Sequence, residues 1–508
     1  MAIKRYHADA DNTITDAFQE NLTTRGTGSN MGQADVLETF SIYAQQSATS
    51  TELSRILIRF PISDISRDRT NGLIPSSGSV SFFLKMFNAE HPHTLPRNYT
   101  LDVLGVSGSW QEGNGLDMEG YTDLTHDTIG SNWVSASSDA AWVSTGGDYY
   151  TDSSSSFKAH FDIGNENLDV DVTTLVEQWI HSDGNILGAK ENHGFGIKLS
   201  SSFEAFDASS NPGGARLSYY TKKFFARSSE YFFDRPVIEA RWDSARRDNR
   251  GNFYFSSSLA PASENLNTLF MYNYIRGNLR DIGGNSNTLP VLRLYYSSGS
   301  VPEGDPVFFR NSANNQVNHI TASRESTGVY SATFSATSSV VNTVYPYLVD
   351  VWSLNDVVQL HTGSAITPKT YVFSNFNPNT KYLVNVKNLK PKYTTNQTER
   401  FRLYVREKNW SPNIFTSAKT SPDNTLIESA SFQITRVSDK KIVIPYGTGS
   451  TSDTLMSYDS DGNYFDLDMN LLEAGYSYEL KFSFYEDSIS SYREQPYAFK
   501  IRVEQDEY

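Results

Sequence analysis

The residues best placed to do chemistry lie in SWQEGNGLDMEGY, where Trp110, Glu112, Asp117 and Glu119 share one glycine-rich loop. Glycoside hydrolysis needs two carboxylates several ångströms apart, one to protonate the leaving oxygen and one to act as base or nucleophile. An aromatic face beside them would stack on a sugar ring. The same residues also describe an acidic surface loop whose tryptophan covers a sheet edge, and neighbouring carboxylates recur by chance in an acidic chain. That plainer reading is the expectation, so no catalytic residue is assigned. Trp110, Glu112 and Asp117, with Trp133 and Trp142 further along, remain as candidate glycan or partner contacts.

Other constellations fall short on spacing. Asp459, Asp461 and Asn463 in YDSDGNYF open like a calcium loop, but that pattern wants Gly at its sixth position and Glu at its twelfth. Tyr464 and Asn470 stand there instead, and a hairpin turn on Asp461-Gly462-Asn463 is expected, because Asp-Gly supplies positive φ. His91 and His93 flank Pro92, and His160, His181 and His193 follow, none with zinc-site spacing. The chain has no cysteine, which removes disulfides and thiolate ligands or nucleophiles. It holds neither a G-x-S-x-G elbow nor a Walker-type loop. No metal and no cofactor is expected.

The elements that must position these residues read as β-structure. The 508 residues suffice for two to four domains, with 13 % aromatics, including 30 Tyr and 30 Phe, to fill their cores. Ser, Thr, Asn and Gly suit strands joined by many turns. Short alternating runs such as SRILIRF, GSVSFFLKMF, KYLVNVK and YELKFSFY are strands by period. One helix stands among them in DVDVTTLVEQWIHSDG, where Val172, Leu175, Val176, Trp179 and Ile180 share a face. Asp171 is placed to cap it, Thr174 and Glu177 have capping-box spacing, and Gly184 is expected to end it. The long Gly- and Ser-rich segment from Gln111 to Ser156 reads as a structured excursion covering a sheet face or edge.

Lys plus Arg is 43 and Asp plus Glu is 58, a formal charge of −15. Such a surface repels phosphate backbones, so no nucleic-acid partner is expected. No apolar run reaches the length of a membrane span, and the first residues lack an apolar signal core. The expected organisation is an N-terminal attachment or strand-exchange segment at 1–50 and sandwiches at 51–244, 252–365 and 370–508. The charged stretch DSARRDNRG and the vicinity of Ile366–Lys369 mark the boundaries. The two C-terminal blocks share no sequence repeat.

Residues 51–242 resemble the DNRLRE-type β-sandwich, related to carbohydrate-binding modules. The resemblance rests on LIRFPISDI, GSVSFFLKMF, VLGVSGSWQEG, DVTTLVEQW, GFGIKLS and FFARSSEYFFDRPVIEARW, about two-fifths of the chain; the name-giving signature itself is absent. The chain start, ADADNTITDAF, LTTRGTGSNMG and ELSRILIRFP, is similar to virion structural proteins of marine tailed phages, as is YDSDGNYFDLDM. That second resemblance implies a part of a virus particle in the tail, neck or a fibre-like appendage, assembled in the host cytoplasm. Its partners would be copies of itself and other virion proteins. The fold expectation is an all-β, multi-domain chain: a DNRLRE-like sandwich with one short helix, then two immunoglobulin-like sandwiches. The functional expectation is a non-enzymatic structural component. A fibre or adhesin gripping host-surface polysaccharide is the alternative. A polysaccharide depolymerase ranks behind both, because the β-helix repeats usual for such phage enzymes are missing.

Overall fold

The computed structural model describes residues 2–90, 95–116, 130–181, 186–337, 344–355, 357–371, 380–409, 414, 424–449, 452–486 and 488–506. Two compact units divide the chain, Ala2–Trp242 and Asp243–Tyr508. Both are all-β sandwiches, as expected.

In the first unit the strands are β1 (Ile3–His7), β2 (Ala10–Thr15), β3 (Val36–Tyr43), β4 (Thr51–Arg59), β5 (Ser81–Met86), β6 (Tyr99–Gly105), β7 (Ser135–Ser137) and β8 (Ala140–Ala141). Then come β9 (Ser156–Phe161), β10 (Leu168–Asp171), β11 (Phe195–Leu199), β12 (Tyr219–Phe225) and β13 (Val237–Arg241). One sheet runs β1-β13-β5-β10 and the other β12-β3-β4-β11-β6-β9, with β2 alongside β4; β7 and β8 form a small hairpin. Alternation dictates the layering. Phe82 and Leu84 of β5, Ile238 of β13, Ile56 and Ile58 of β4 and Ile197 of β11 point into one core and are fully buried. Each such side chain contributes about 1.5–3 kcal/mol by leaving water.

The structure has two α-helices among the described residues, one more than expected. Strand β4 stops before Pro61, whose missing N–H and fixed φ suit the start of a helix better than a sheet interior. Helix α1 (Ile62–Thr70) follows, burying Ile62, Ile65 and Asp68, in a stretch that reads by its isoleucines as more strand. Helix α2 (Thr173–Ile180) buries Leu175, Val176, Trp179 and Ile180, with Trp179 edge-on to Phe195 at 4.8 Å. Its expected cap is rearranged. The Asp171 carboxylate accepts from the Thr173 N–H at 2.9 Å and hydroxyl at 2.6 Å, and the same hydroxyl accepts from the Phe82 N–H at 2.8 Å. Thr174 donates to the Ser154 carbonyl. Glu177 takes a bidentate pair from Arg69 of α1 at 2.6 and 2.7 Å. Left-handed His181 closes the helix at φ 42; Gly184 lies outside the described residues.

The first fifty residues, expected as an attachment or strand-exchange segment, pair with strands of the first unit. β1 pairs with β13 from Ile3 to His7, β2 with β4 from Ala10 to Thr15, and β3 with β12. They fill places in both sheets, and Ile14 and Leu37 among them are fully buried.

In the second unit, strands Asn267–Tyr272, Val329–Phe334 and Ser323–Ser326 form one sheet, and Ile320–Thr321, Val291–Ser297, Tyr347–Leu354 and Val358–Thr362 another. Leu269, Tyr330, Phe334, Leu292, Leu294 and Trp352 fill the space between. A further sandwich packs Tyr382–Val386, Thr398–Glu407, Gly462–Asp468 and Ser457–Asp459 against a sheet built on Ser477–Glu486 and Ala430–Arg436. Phe465 bridges its two layers, 5.2 Å from Phe401 and 4.2 Å from Phe432. DSARRDNRG, expected as a boundary, ties the two sandwiches of this unit together. The Arg246 N–H donates to the Ser457 hydroxyl at 2.9 Å and the Asp248 N–H to the Tyr458 carbonyl at 3.1 Å. Arg250 meets the fully buried Asp350 at 2.5 Å, and the Trp352 indole N–H reaches that carboxylate at 2.7 Å.

Candidate functional site

Leaving β6, the chain crosses the outer face of the larger sheet. Leu57 of β4 points there, opposite to Ile56 and Ile58, and is joined by Ala10 and Ile14 of β2. Over them settle Trp110, Trp133 and Trp142, only 6–7 % exposed. The Trp110 indole N–H donates to the His193 carbonyl at 2.7 Å and that of Trp142 to the Asn132 carbonyl at 2.9 Å. The Arg55 guanidinium lies 5.1 Å from the Trp133 ring. The excursion thus builds a second small core. This corrects the three tryptophans as candidate glycan contacts: rings so covered, two of them with the N–H also spent on a backbone carbonyl, offer no face to a sugar.

Polar residues pin the excursion beside this core. The Asn12 amide donates to the Ser131 carbonyl and hydroxyl at 2.9 and 2.8 Å and its oxygen accepts from the Met31 N–H at 2.8 Å. Asn30 donates to the Glu112 and Ser131 carbonyls, both at 2.7 Å, and accepts from the Gly115 N–H at 3.0 Å. A Cβ on Gly115 would lie 1.3 Å from the Asn30 carbonyl oxygen, so the close backbone approach admits glycine alone.

Glu112 sits at the rim. Arg227 donates to its two carboxylate oxygens at 2.6 and 2.7 Å, and the Asp11 N–H donates to it at 2.8 Å. The Asp11 carboxylate, 1 % exposed, accepts the Arg227 N–H at 2.6 Å, while its Oδ1 is buried without a hydrogen bond. Burial is the main force pushing the Asp11 carboxyl up to about 7, with Glu112 adding to it and Arg227 opposing. Arg227 thus serves both carboxylates, Glu112 through its guanidinium and Asp11 through its backbone N–H. Both Glu112 oxygens are taken by the bidentate pair with Arg227, and Asp11, 1 % exposed, is out of reach of a substrate. The geometry is that of a clamp fastening β2, the excursion and the segment after β12. Asp117 and Glu119 lie outside the described residues.

Sequence reasoning missed Asp11 and Arg227, which stand 101 and 115 positions from Glu112; no local pattern announces such partners. The calcium-like residues are also taken. Arg402 holds Asp459 at 2.8 and 2.9 Å, and Asn463 exchanges hydrogen bonds with the Ile427 backbone. The turn falls on Ser460 and Asp461, one residue earlier than expected, with Gly462 paired to Asp459 at φ +115. His160 is beside Asp162 and His193 beside Glu191, each at 3.2 Å, while His91 and His93 lie outside the described residues. Among the described residues no three His, Asp or Glu converge as metal ligands.

The described residues also form a concave feature. A groove of about 460 Å³ opens between β9 and β10, lined by Phe157, Ala159, His160, Asn167, Asp169 and Asp171. Each of the two strands is the last of its sheet.

No family model and no curated protein matches the chain. Among solved structures it is similar to fibronectin(III)-like modules of CbhA from Clostridium thermocellum, at 13 % identity over 44 % of this chain and 82 % of that one, with TM-score 0.14. It is also similar to trypsin-activated alpha-2-macroglobulin from Escherichia coli, at 8 % identity over 92 % of this chain but only 24 % of that one, TM-score 0.15. A DUF4785 family protein from Legionella pneumophila matches at 8 % identity over 92 % of this chain and 89 % of that one, TM-score 0.13. Scores this low place the chain in no family, and its own geometry is what its function is read from.

Proposed function

We propose that the chain is a non-enzymatic structural component of a tailed-phage particle, working by assembly with copies of itself and with neighbouring virion proteins. The observation that carries this reading is an edge left uncovered among the described residues of the second unit. Strand Val358–Thr362 ends its sheet, and Val357, Val358 and Leu360 are 85, 53 and 37 % exposed. A bulge at Leu360 turns that side chain outward. Residues 357–368 carry no Asp, Glu, Lys or Arg. Exposed, uncharged edge strands are where sheets pair with further chains. In a chain of charge −15 a neutral edge is also where two copies approach with least repulsion. Elsewhere charges are paired within the chain, and Arg69–Glu177, Arg227–Glu112 and Arg402–Asp459 are bidentate. Closed symmetry would then turn weak contacts into avidity.

Light scattering on the purified full-length chain tests the reading. A defined homo-oligomer that dissociates when Val358 and Leu360 are changed to Lys is expected; a monomer at every accessible concentration speaks against it. The β9–β10 groove favours a second reading, recognition of host-surface polysaccharide, since it joins an aromatic side chain to two carboxylates and a histidine. A glycan array on the full chain decides this, and uniform absence of binding removes it.

A further inference from the structure

Lys222 is the least conventional residue of the first unit. It lies on β12, is 2 % exposed, and has no ion pair among the described residues. Its Nζ touches three neutral oxygens: Asn88 Oδ1 at 2.6 Å, the Glu166 backbone carbonyl at 2.6 Å and the Gly164 carbonyl at 3.0 Å. The Phe161 and Phe224 rings flank it at 4.8 and 5.1 Å. The nearby Glu166 carboxylate is turned to the Ile163 and Gly164 N–H groups instead. An ammonium buried without a counter-ion is costly. Burial accordingly pushes Lys222 down to about 8, so about a tenth is neutral amine at pH 7.

Asn88 is held against it from both sides. It bridges Phe224 across the strands. The Ala89 N–H donates to the Lys223 carbonyl and the Phe225 N–H to the Phe87 carbonyl, both at 3.0 Å. The Asn88 N–H donates to Asn167 Oδ1 at 2.9 Å. Its Nδ2, by contrast, has no hydrogen-bond partner among the described residues. A carbonyl carbon lies about 1.2 Å beyond its oxygen, so Asn88 Cγ is at most about 3.8 Å from the lysine nitrogen.

We propose that Lys222 and Asn88 join in an intramolecular isopeptide bond. Neutral Nζ attacks Asn88 Cγ, the Nζ–Cγ bond forms, the Cγ–Nδ2 bond breaks, and Nδ2 leaves as ammonia. The lysine ammonium first gives a proton to water. In the tetrahedral adduct a proton then passes from Nζ to Nδ2, so amine plus carboxamide becomes secondary amide plus ammonia, with no oxidant or co-reactant. A fixed nucleophile and carbonyl supply the effective concentration that a free amine and amide lack, and the product replaces a buried charge with a neutral amide. The bond would staple β12 of one sheet to the end of β5 in the other, between positions 134 apart. It would give a cysteine-free chain a cross-link indifferent to reducing conditions. The proposal is independent of where the chain serves.

Intact-mass measurement and peptide mapping of the full-length chain, fresh and after incubation at mildly alkaline pH, test it. The expected result is a mass short by one ammonia, a branched peptide joining the Lys222 and Asn88 segments, and no tryptic cleavage after Lys222. Lys222→Arg and Asn88→Ala, checked for folding by circular dichroism, should each abolish all three. An unbranched Lys222 peptide beside unmodified Asn88 after prolonged incubation overturns the proposal. So does ammonia loss confined to a succinimide at Asn88 with Lys222 still cleavable; the wild-type map decides even if a variant fails to fold.

Discussion

Replacing Asp11 with Asn tests the clamp quantitatively. The carboxyl is raised from 3.8 to about 7, chiefly by burial, so the folded state binds its proton more tightly than the unfolded chain. Its stabilising contribution is complete below pH 3.8 and is lost as pH rises through 7. Three pH units correspond to about 4 kcal/mol. Asp11→Asn abolishes that titration but leaves an amide N–H₂ near the buried position of Oδ1, which has no acceptor, at a cost of about 1–3 kcal/mol. The variant should therefore be less stable than wild type by about 1–3 kcal/mol at pH 4, and more stable by about the same at pH 8. Urea unfolding followed by tryptophan fluorescence is the assay, since Trp110, Trp133, Trp142, Trp179 and Trp242 lie in the first unit and only Trp352 and Trp410 outside it. Comparing variant with wild type at each pH cancels the other titrating groups. An equal stability difference at both pH values would show that Asp11 does not titrate with folding.

Two further outcomes follow from the same packing. Arg69→Ala removes the bidentate partner of the buried Glu177, whose side chain is 3 % exposed, and should cost about 3–5 kcal/mol in urea unfolding. The double change Arg69→Met with Glu177→Leu should recover most of that loss. Gly462→Ala forces a side chain onto φ +115 with its Cβ 2.0 Å from Asn424 Nδ2, and should lower stability by about 1–3 kcal/mol, read as an earlier loss of Trp352 or Trp410 signal.

Much of the fold was legible because it obeys period two: Ile56 and Ile58 against Leu57 fixed which face of β4 meets which core. Helix α2 was legible through Leu175, Val176 and Trp179. Helix α1 was not, since Ile62 and Ile65 in so short a stretch suit a strand as well, and only Pro61 signals the change. Strand exchange by the first fifty residues was expected, but their partners were hidden, because pairing such as Ile3 with Arg241 leaves no local mark. At the candidate site the tryptophans were found but misread, for composition cannot tell an aromatic platform from a second core. Asp11 and Arg227 reach Glu112 only through the folded sheet. The cation–amide contact of Lys222 with Asn88 is likewise a product of tertiary structure alone.

In the proposed role, this chain offers sheet-built surfaces to companion proteins in a virus particle. Quantitative mass spectrometry of purified particles from a phage whose genome encodes it is the deciding measurement. The chain is expected in the particle at a fixed, symmetry-compatible copy number; its absence from particles, while abundant in the infected cell, would overturn the proposal.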